Sequence, residues 1–494
     1  MKFTVPLTGE PDTRISATNA VSGASGVVGI GIVGLMVVGA TASAVDKDER
    51  WINCFLAKEG SKIYEMKRPG LAALNTPAAG SIGTAILVWT GGVGGTAVIT
   101  AFGPTNSTVY SGTSSLGAIT GKSRSIAETF VGTVATLITP STDSTAWYYD
   151  TGVGVMTKIA SANYPGNAAF TTAGDFAVID GFTCQMTTDS KLWASDLNSV
   201  TAWTANNFDT ANVYPDKGIG CVRFKNFIMA FGAESIEFWH NAGLTPFPLQ
   251  RIKSMTQKIG SVSSDAIATL SDNVFFAGST DKGGISIFQY DGSTQRISKP
   301  EHDFQLAIAG PTNISITTAR FYGRSFVLVK ASATTYVYCL EEKKWHEWAG
   351  IVPLWYKSAG LSSGTQILSY FVSNISTSGK VFVINPASLV FLDNGSPWTA
   401  SFQTSTIEAD GHTMFFEFMR FICDTEATTS TLTISASDDD YSSWQIVGTV
   451  DLSIAGDKRI DRLGASKQRA WKFSHSAATP FRIEKIVGEM SVGT

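Results

Sequence analysis

Short apolar runs separated by polar turns recur along most of this 494-residue chain. Between about residue 80 and residue 397 they read Ala85-Ile-Leu-Val-Trp89, Asp175-Phe-Ala-Val-Ile179, Asn226-Phe-Ile-Met-Ala230, Asn273-Val-Phe-Phe-Ala277 and Ser325-Phe-Val-Leu-Val329. Runs of this length, rich in Val, Ile and Phe and bounded by Gly, Ser, Asn and Asp, predict strands. No persuasive 3.6-residue amphipathic period interrupts them. With Ile86, Val134, Val178, Phe227, Val274, Phe326 and Leu368 as markers, the runs return every 42 to 52 residues. Most units carry a second run ending in an aromatic, as in Trp147-Tyr-Tyr-Asp150, Phe238-Trp-His-Asn241, Phe288-Gln-Tyr-Asp-Gly292 and Val381-Phe-Val-Ile-Asn385. A four-stranded sheet needs about 40 to 50 residues, and a ring of such sheets buries the face that each leaves bare. The spacing predicts an all-β chain with a six- or seven-bladed β-propeller over 80–397. Two β-sandwiches without a true repeat are the competing arrangement.

Two shorter alternating runs precede the repeats, at 51–55 and 63–66, split by Lys58-Glu59-Gly60 and stopped by Pro69-Gly70. They predict a strand pair within a segment 46–79 that enters and closes the ring, with 63–66 as the closing strand because it abuts the first unit. Before them, residues 15–45 carry no charge. Their length would allow a membrane helix. Gly26, Gly29, Gly31, Gly34 and Gly39 weaken a helix, Val and Ile favour strand, and positive flanks are missing. Residues 1–45 are therefore expected to form an extended apolar arm packed on a neighbour, with a membrane-active segment as the alternative. No signal-peptide pattern is present. After the repeats the runs lengthen, at 414–422, 431–436, 444–450, 471–474 and 481–490, and predict a β-sandwich-like module over 398–494.

Composition narrows the function classes. Apolar residues make up 44% of the chain and charged residues only 16%, against the usual quarter or so. Such a surface suits a subunit buried against neighbours. The net charge is −4 and no basic tract occurs, which excludes tight, sequence-independent DNA binding. Cys54, Cys184, Cys221, Cys339 and Cys423 are scattered in apolar runs, as expected of reduced core thiols. A disulfide scaffold or a zinc site needs closer pairs.

Several near-matches to catalytic motifs fail on context. Gly360-Leu-Ser-Ser-Gly364 lies between strand runs, with no helix to build a nucleophile elbow. Gly117-Ala-Ile-Thr-Gly121-Lys-Ser123 has Leu116 where a phosphate loop needs its first glycine. His240, His302, His346, His412 and His475 are isolated from one another. Glu341-Glu342, or Glu234 with Glu237, could form a glycosidase pair, but they sit at solvated turns. Ser437-Asp-Asp-Asp-Tyr-Ser-Ser-Trp444 partly resembles the sialidase Asp-box, matching at Ser437, Asp439 and Trp444, and reads as a hairpin turn. The chain is thus expected to be no enzyme, with no catalytic, cofactor-binding or metal-ligating residues.

A set of segments carries a family resemblance: Arg50-Trp-Ile-Asn-Cys-Phe55, Lys67-Arg-Pro-Gly-Leu71, the stretch from Val222 to Trp239, Ile259-Gly-Ser-Val262, Asp272-Asn-Val-Phe-Phe276 and Arg462-Leu-Gly464. In their order over 46–494 they resemble the tail-nozzle, or packaged-DNA stabilisation, proteins of short-tailed bacteriophages. The resemblance implies a homohexamer forming a tube below the portal and adaptor proteins. The tube would contact tail fibres, spikes or a needle, retain the genome, and pass double-stranded DNA without gripping it. It would reside in the virion tail after assembly in the host cytoplasm. A propeller that binds or cleaves host surface glycans is the alternative.

Overall fold

The computed structural model describes residues 2–5, 49–90, 96–279, 283–350, 355–363, 366–373 and 377–493. The arm expected over 1–45 lies outside them except for a strand at Lys2–Val5. The chain forms two compact units. One gathers Ala73–Thr335 and Ile351–Ala387, the other Met1–Ala72, Tyr336–Gly350 and Ser388–Thr494. Both are discontinuous in sequence, whereas the strand pattern places consecutive blocks at 80–397 and 398–494.

The first unit is a β-propeller. Seven strands begin successive antiparallel sheets: Gly83–Trp89, Ala127–Val131, Thr172–Ile179, Gly218–Phe224, Ile267–Leu270, Ile314–Phe321 and Trp355–Ser363. Trp355–Ser363 packs beside Gly83–Trp89, so the ring closes at seven. Each sheet has two apolar faces, and neighbouring sheets bury them jointly. Ile179, Met186 and Leu192 of the third sheet share a core with Ile228, Trp239 and Leu249 of the fourth. Met229, Phe231 and Phe238 of the fourth meet Val274, Phe276 and Phe288 of the fifth. Burying each such side chain stabilises the ring by about 1.5–3 kcal/mol.

The last sheet runs in the order Trp355–Ser363, Gln366–Ser373, Val381–Ile384, Ala72–Asn75. Ala72–Asn75 is therefore the closing strand, and the expectation for 63–66 is corrected. The strand Lys62–Lys67 pairs instead with Cys54–Glu59 and with Arg482–Val492. An outermost propeller strand faces solvent, so Ala72–Asn75 shows no apolar alternation; none of its residues is fully buried. A second correction is the helix Pro300–Ala309, which buries His302, Leu306 and Ala309 at i, i+4 and i+7. At ten residues, with only three of them buried, it is too short to stand out as a period.

The inner strands approach closely where they bulge. Gly174 sits at φ +68°, and a Cβ there would lie 2.6 Å from Gly220 Cα. Gly174→Ala combines a left-handed backbone cost with overpacking between the third and fourth sheets. Its expected destabilisation is about 2–4 kcal/mol, measured as a lowered urea midpoint. An unchanged midpoint would contradict this packing.

The second unit is a β-sandwich. One sheet runs Thr334–Cys339, Lys344–Trp348, Arg50–Ile52, Ala400–Gln403, Gln468–His475, Thr431–Ser437, Gln445–Asp451. The other runs Cys54–Glu59, Lys62–Lys67, Arg482–Val492, Met414–Cys423, Arg459–Ser466, with Lys2–Val5 also on Arg482–Val492. Between them lie Trp51, Leu56, Phe402, Met414, Phe416, Met419, Ile434, Trp471, Phe473, Ile483 and Met490. The alternation of Met414–Cys423, buried at Met414, Phe416, Met419 and Phe421, is that of a strand with one face in this core.

Candidate functional site

The sandwich carries an ionic joint built from residues far apart in sequence. It begins at Asn53, which stands at φ +58° and breaks the single strand expected over 51–55 into two. Before the break, Arg50–Ile52 pairs in parallel with Lys344–Trp348 and antiparallel with Ala400–Gln403. After it, Cys54–Glu59 enters the opposite sheet. Asn tolerates the left-handed region better than other side-chain-bearing residues because its amide can bond locally. Here its Oδ1 accepts from Ala349 N at 2.9 Å and its Nδ2 donates to Thr399 O at 2.9 Å. Arg50 forks onto the two carboxylate oxygens of Glu347, each at 2.7 Å.

Arg68 fills the centre and is completely buried. Its Nη1 and Nη2 donate to the two oxygens of Asp393 at 3.0 and 2.6 Å. Nε donates to Asn53 Oδ1 at 2.9 Å, and the remaining donors reach Pro69 O at 3.0 Å and Ala349 O at 3.3 Å. The guanidinium carbon lies 4.0 Å from the Trp398 ring centroid and 5.3 Å from that of Trp348. All five N–H groups are therefore used, which is what lets a charge survive without water. Gly70 makes room beside it, since a Cβ there would lie 2.4 Å from Leu392 O.

Lys67 is buried as well. Its Nζ donates to Ala477 O at 2.6 Å, faces His475 Nδ1 at 3.3 Å and lies 4.5 Å from the Trp398 ring. Burial, reinforced by the Arg68 charge, lowers Lys67 to about 8. Burial and Lys67 together lower His475 to about 3. The neutral ring accepts at Nδ1 and donates from Nε2 to Ser430 Oγ at 2.8 Å. On the same face as Lys67, Glu65 is fully buried with no hydrogen bond to either carboxyl oxygen, and burial pushes it up to about 8. This cluster fixes strands: the Arg68 charge at its centre is fully buried and spent on Asp393, and only the flanking Arg50–Glu347 pair is partly exposed.

The other sequence candidates do not converge. Glu341 accepts from Cys339 Sγ at 3.5 Å, and Glu342 accepts from Lys58 N at 2.9 Å. Glu237 is buried against Val213 N and Arg251, while Glu234 lies at an exposed turn, its N–H donating to Asp216. Trp355–Ser363 leads into another strand, not a helix, and Gly364 lies outside the described residues. Gly121 and Ser123 lie in the link between the first and second sheets, bonded to Asn106 of the first and Thr139 of the second. Asp439 accepts from Ser437 Oγ, Ser443 N and Ser443 Oγ at 2.6–2.9 Å, and these bonds hold it down at about 2. The Asp-box-like segment is thus a turn closed on itself. All five cysteines are free thiols, four of them buried. Among the described residues no three metal-ligating side chains gather, and no helix is long and apolar enough to cross a membrane. Asn53 lay within the Arg50-Trp-Ile-Asn-Cys-Phe55 segment of the family resemblance, while Asp393 and Trp398 had no sequence signal beyond their residue types. Arg68 had one, an arginine directly before Pro-Gly in an otherwise weakly charged chain.

The chain matches the profile of the family described as bacteriophage P22 Gp10, beta-propeller, over residues 105–359. Solved structures are similar at a lower level. Raptor from Chaetomium thermophilum gives 11% identity and a TM-score of 0.40, over 69% of this chain and 29% of that one. BamB from Moraxella catarrhalis gives 10% and 0.37, over 67% and 92%. A chain of the mitotic checkpoint complex gives 11% and 0.41, over 64% and 95%. Likeness at this level decides nothing about function. No curated protein matches the chain. The family match, by contrast, runs from the first propeller sheet into the seventh inner strand and covers more than half the residues. The chain belongs to this family of bacteriophage β-propeller proteins and is a structural component of the virion.

Proposed function

We propose that the protein is a non-enzymatic subunit of the tail nozzle of a short-tailed bacteriophage. Six copies form a tube below the portal and adaptor, retain the packaged genome, and conduct it during ejection. Tail fibres, spikes or a needle attach to the same tube, which is assembled in the host cytoplasm. The observation that carries this reading is the family match across the propeller. The charge pattern supports it. A duct must not grip DNA tightly, and a net charge of −4 with no basic tract disfavours tight, sequence-independent binding. Surface low in charge is suited to burial between copies. The glycan reading, suggested by the tryptophans and the Asp-box-like turn, is weakened on the second count, because Asp439 is engaged within its own turn.

Light scattering and negative-stain imaging of the purified chain, with and without its adaptor, test this. The expected result is a sixfold ring with a central channel. A monomer that persists in the presence of the adaptor overturns it. In the same preparation, linear duplex DNA at physiological salt is expected to show no retention. Tight, salt-sensitive retention would remove the non-gripping duct.

A further inference from the structure

Arg320 stands near the end of the inner strand Ile314–Phe321, where the fifth, sixth and seventh sheets meet. A cavity of about 160 Å³ opens there, lined by Thr269, Leu270, Ser271, Thr318, Arg320 and Ser369. The backbone beneath it is pinned from the seventh sheet. Ser369 Oγ accepts from Arg320 N and donates to Arg320 O, both at 2.9 Å, and Ser358 Oγ accepts from Thr318 N at 3.1 Å. The guanidinium is held by one side-chain bond, Nη2 to Ser271 Oγ at 2.6 Å. Among the described residues no carboxylate pairs with it, and no acid lines the cavity. This differs from Arg50, Arg68, Arg251, Arg296, Arg420, Arg459, Arg469 and Arg482, each of which meets an Asp or Glu.

We infer that this cavity is an oxyanion site of the propeller, taking a group of the phosphate class. The guanidinium supplies the charge and a planar fork of donors that matches two anion oxygens. Ser271 accepts from Arg320, which leaves its own O–H to donate, and the hydroxyl of Thr269 lines the same wall. Because Ser369 and Ser358 fix the strand, little backbone order is lost on binding. The occupant is either free phosphate or a phosphodiester of a nucleic acid, since both present the same oxygens.

The test is thermal unfolding of the full chain titrated with inorganic phosphate at constant ionic strength, with chloride as control. A saturable rise in Tm is expected for the wild type. Arg320→Gln is expected to weaken the apparent affinity by about tenfold or more. No rise in the wild type, or equal rises in both proteins, overturns the site. If Arg320→Gln fails to fold, the double variant Thr269→Val with Ser271→Ala decides in its place: an undiminished phosphate effect overturns the site. A short duplex oligonucleotide then separates the two sources. Competition with phosphate identifies a phosphodiester as occupant, and phosphate binding without competition identifies a small anion; either result supports the site.

Discussion

Asp393→Ala is expected to destabilise the sandwich unit by about 3–5 kcal/mol. The cause is the group left behind. Arg68 is fully buried, and Asp393 receives its two strongest hydrogen bonds. Without that carboxylate the guanidinium keeps its charge, loses both partners, and cannot recover them from water. The exposed pair Arg420–Asp457, at 2.7 Å, is the control. Asp457→Ala is expected to cost no more than about 1 kcal/mol, because solvent already screens that pair. Urea unfolding followed by tryptophan fluorescence reads both, since Trp348 and Trp398 lie against Arg68. Equal losses for the two variants would show that the buried joint contributes nothing special. Arg68→Met combined with Asp393→Leu is expected to recover much of the loss, because an apolar pair leaves no orphaned charge.

Glu65→Gln is expected to raise stability at pH 8 and to change it little at pH 4. Burial holds the folded carboxyl at about 8, well above its ordinary value near 4.5. Below that ordinary value both states are protonated, and the group does not affect the balance. Between the two values the unfolded chain ionises while the folded one keeps its proton. The folded state then binds more protons than the unfolded state, so stability falls as pH rises through this window. Above about 8 both states are ionised, the penalty is complete, and the curve levels. Lys67 acts in the opposite sense at higher pH. Its folded value of about 8 lies below the ordinary 10.5, so it restores stability as pH climbs between them. The side chains facing the Glu65 carboxyl are Trp51 and Cys54, whose thiol burial pushes well above its ordinary value. Cys54 therefore stays neutral across the window. A pH–stability profile of wild type against Glu65→Gln decides the matter; parallel profiles from pH 4 to 9 would refute the assignment.

Much of the propeller was legible because its signal is local. Inner and middle strands such as Phe227–Gly232 and Asn273–Ser279 are buried on both faces and read as short continuous apolar runs. Their return at 42 to 52 residues names the repeat without any knowledge of contacts. The candidate site was legible only in part. Lys67-Arg-Pro-Gly-Leu71 stood out as a motif, yet the chain offers no means of pairing Arg68 with Asp393, 325 residues away. An Asp before Asn394 reads as a turn residue, and in sequence it is one.

The sequence by itself determined an all-β chain, the repeat length, the apolar runs at the cores, and a weakly charged composition with no basic tract. Each of these depends on residue type and spacing along one strand. Only the tertiary structure decided which strand closes the ring. Both 63–66 and Ala72–Asn75 precede the first sheet, and strand pairing is set by neighbours in space that sequence order does not rank. It likewise decided that residues 50–71 are shared between the two sheets of a sandwich, and that Arg68 is a buried cation rather than a surface one. A charge is tolerated in a core only when every donor finds a partner. Those partners come from residues 53, 69, 349 and 393, which only the folded chain brings together.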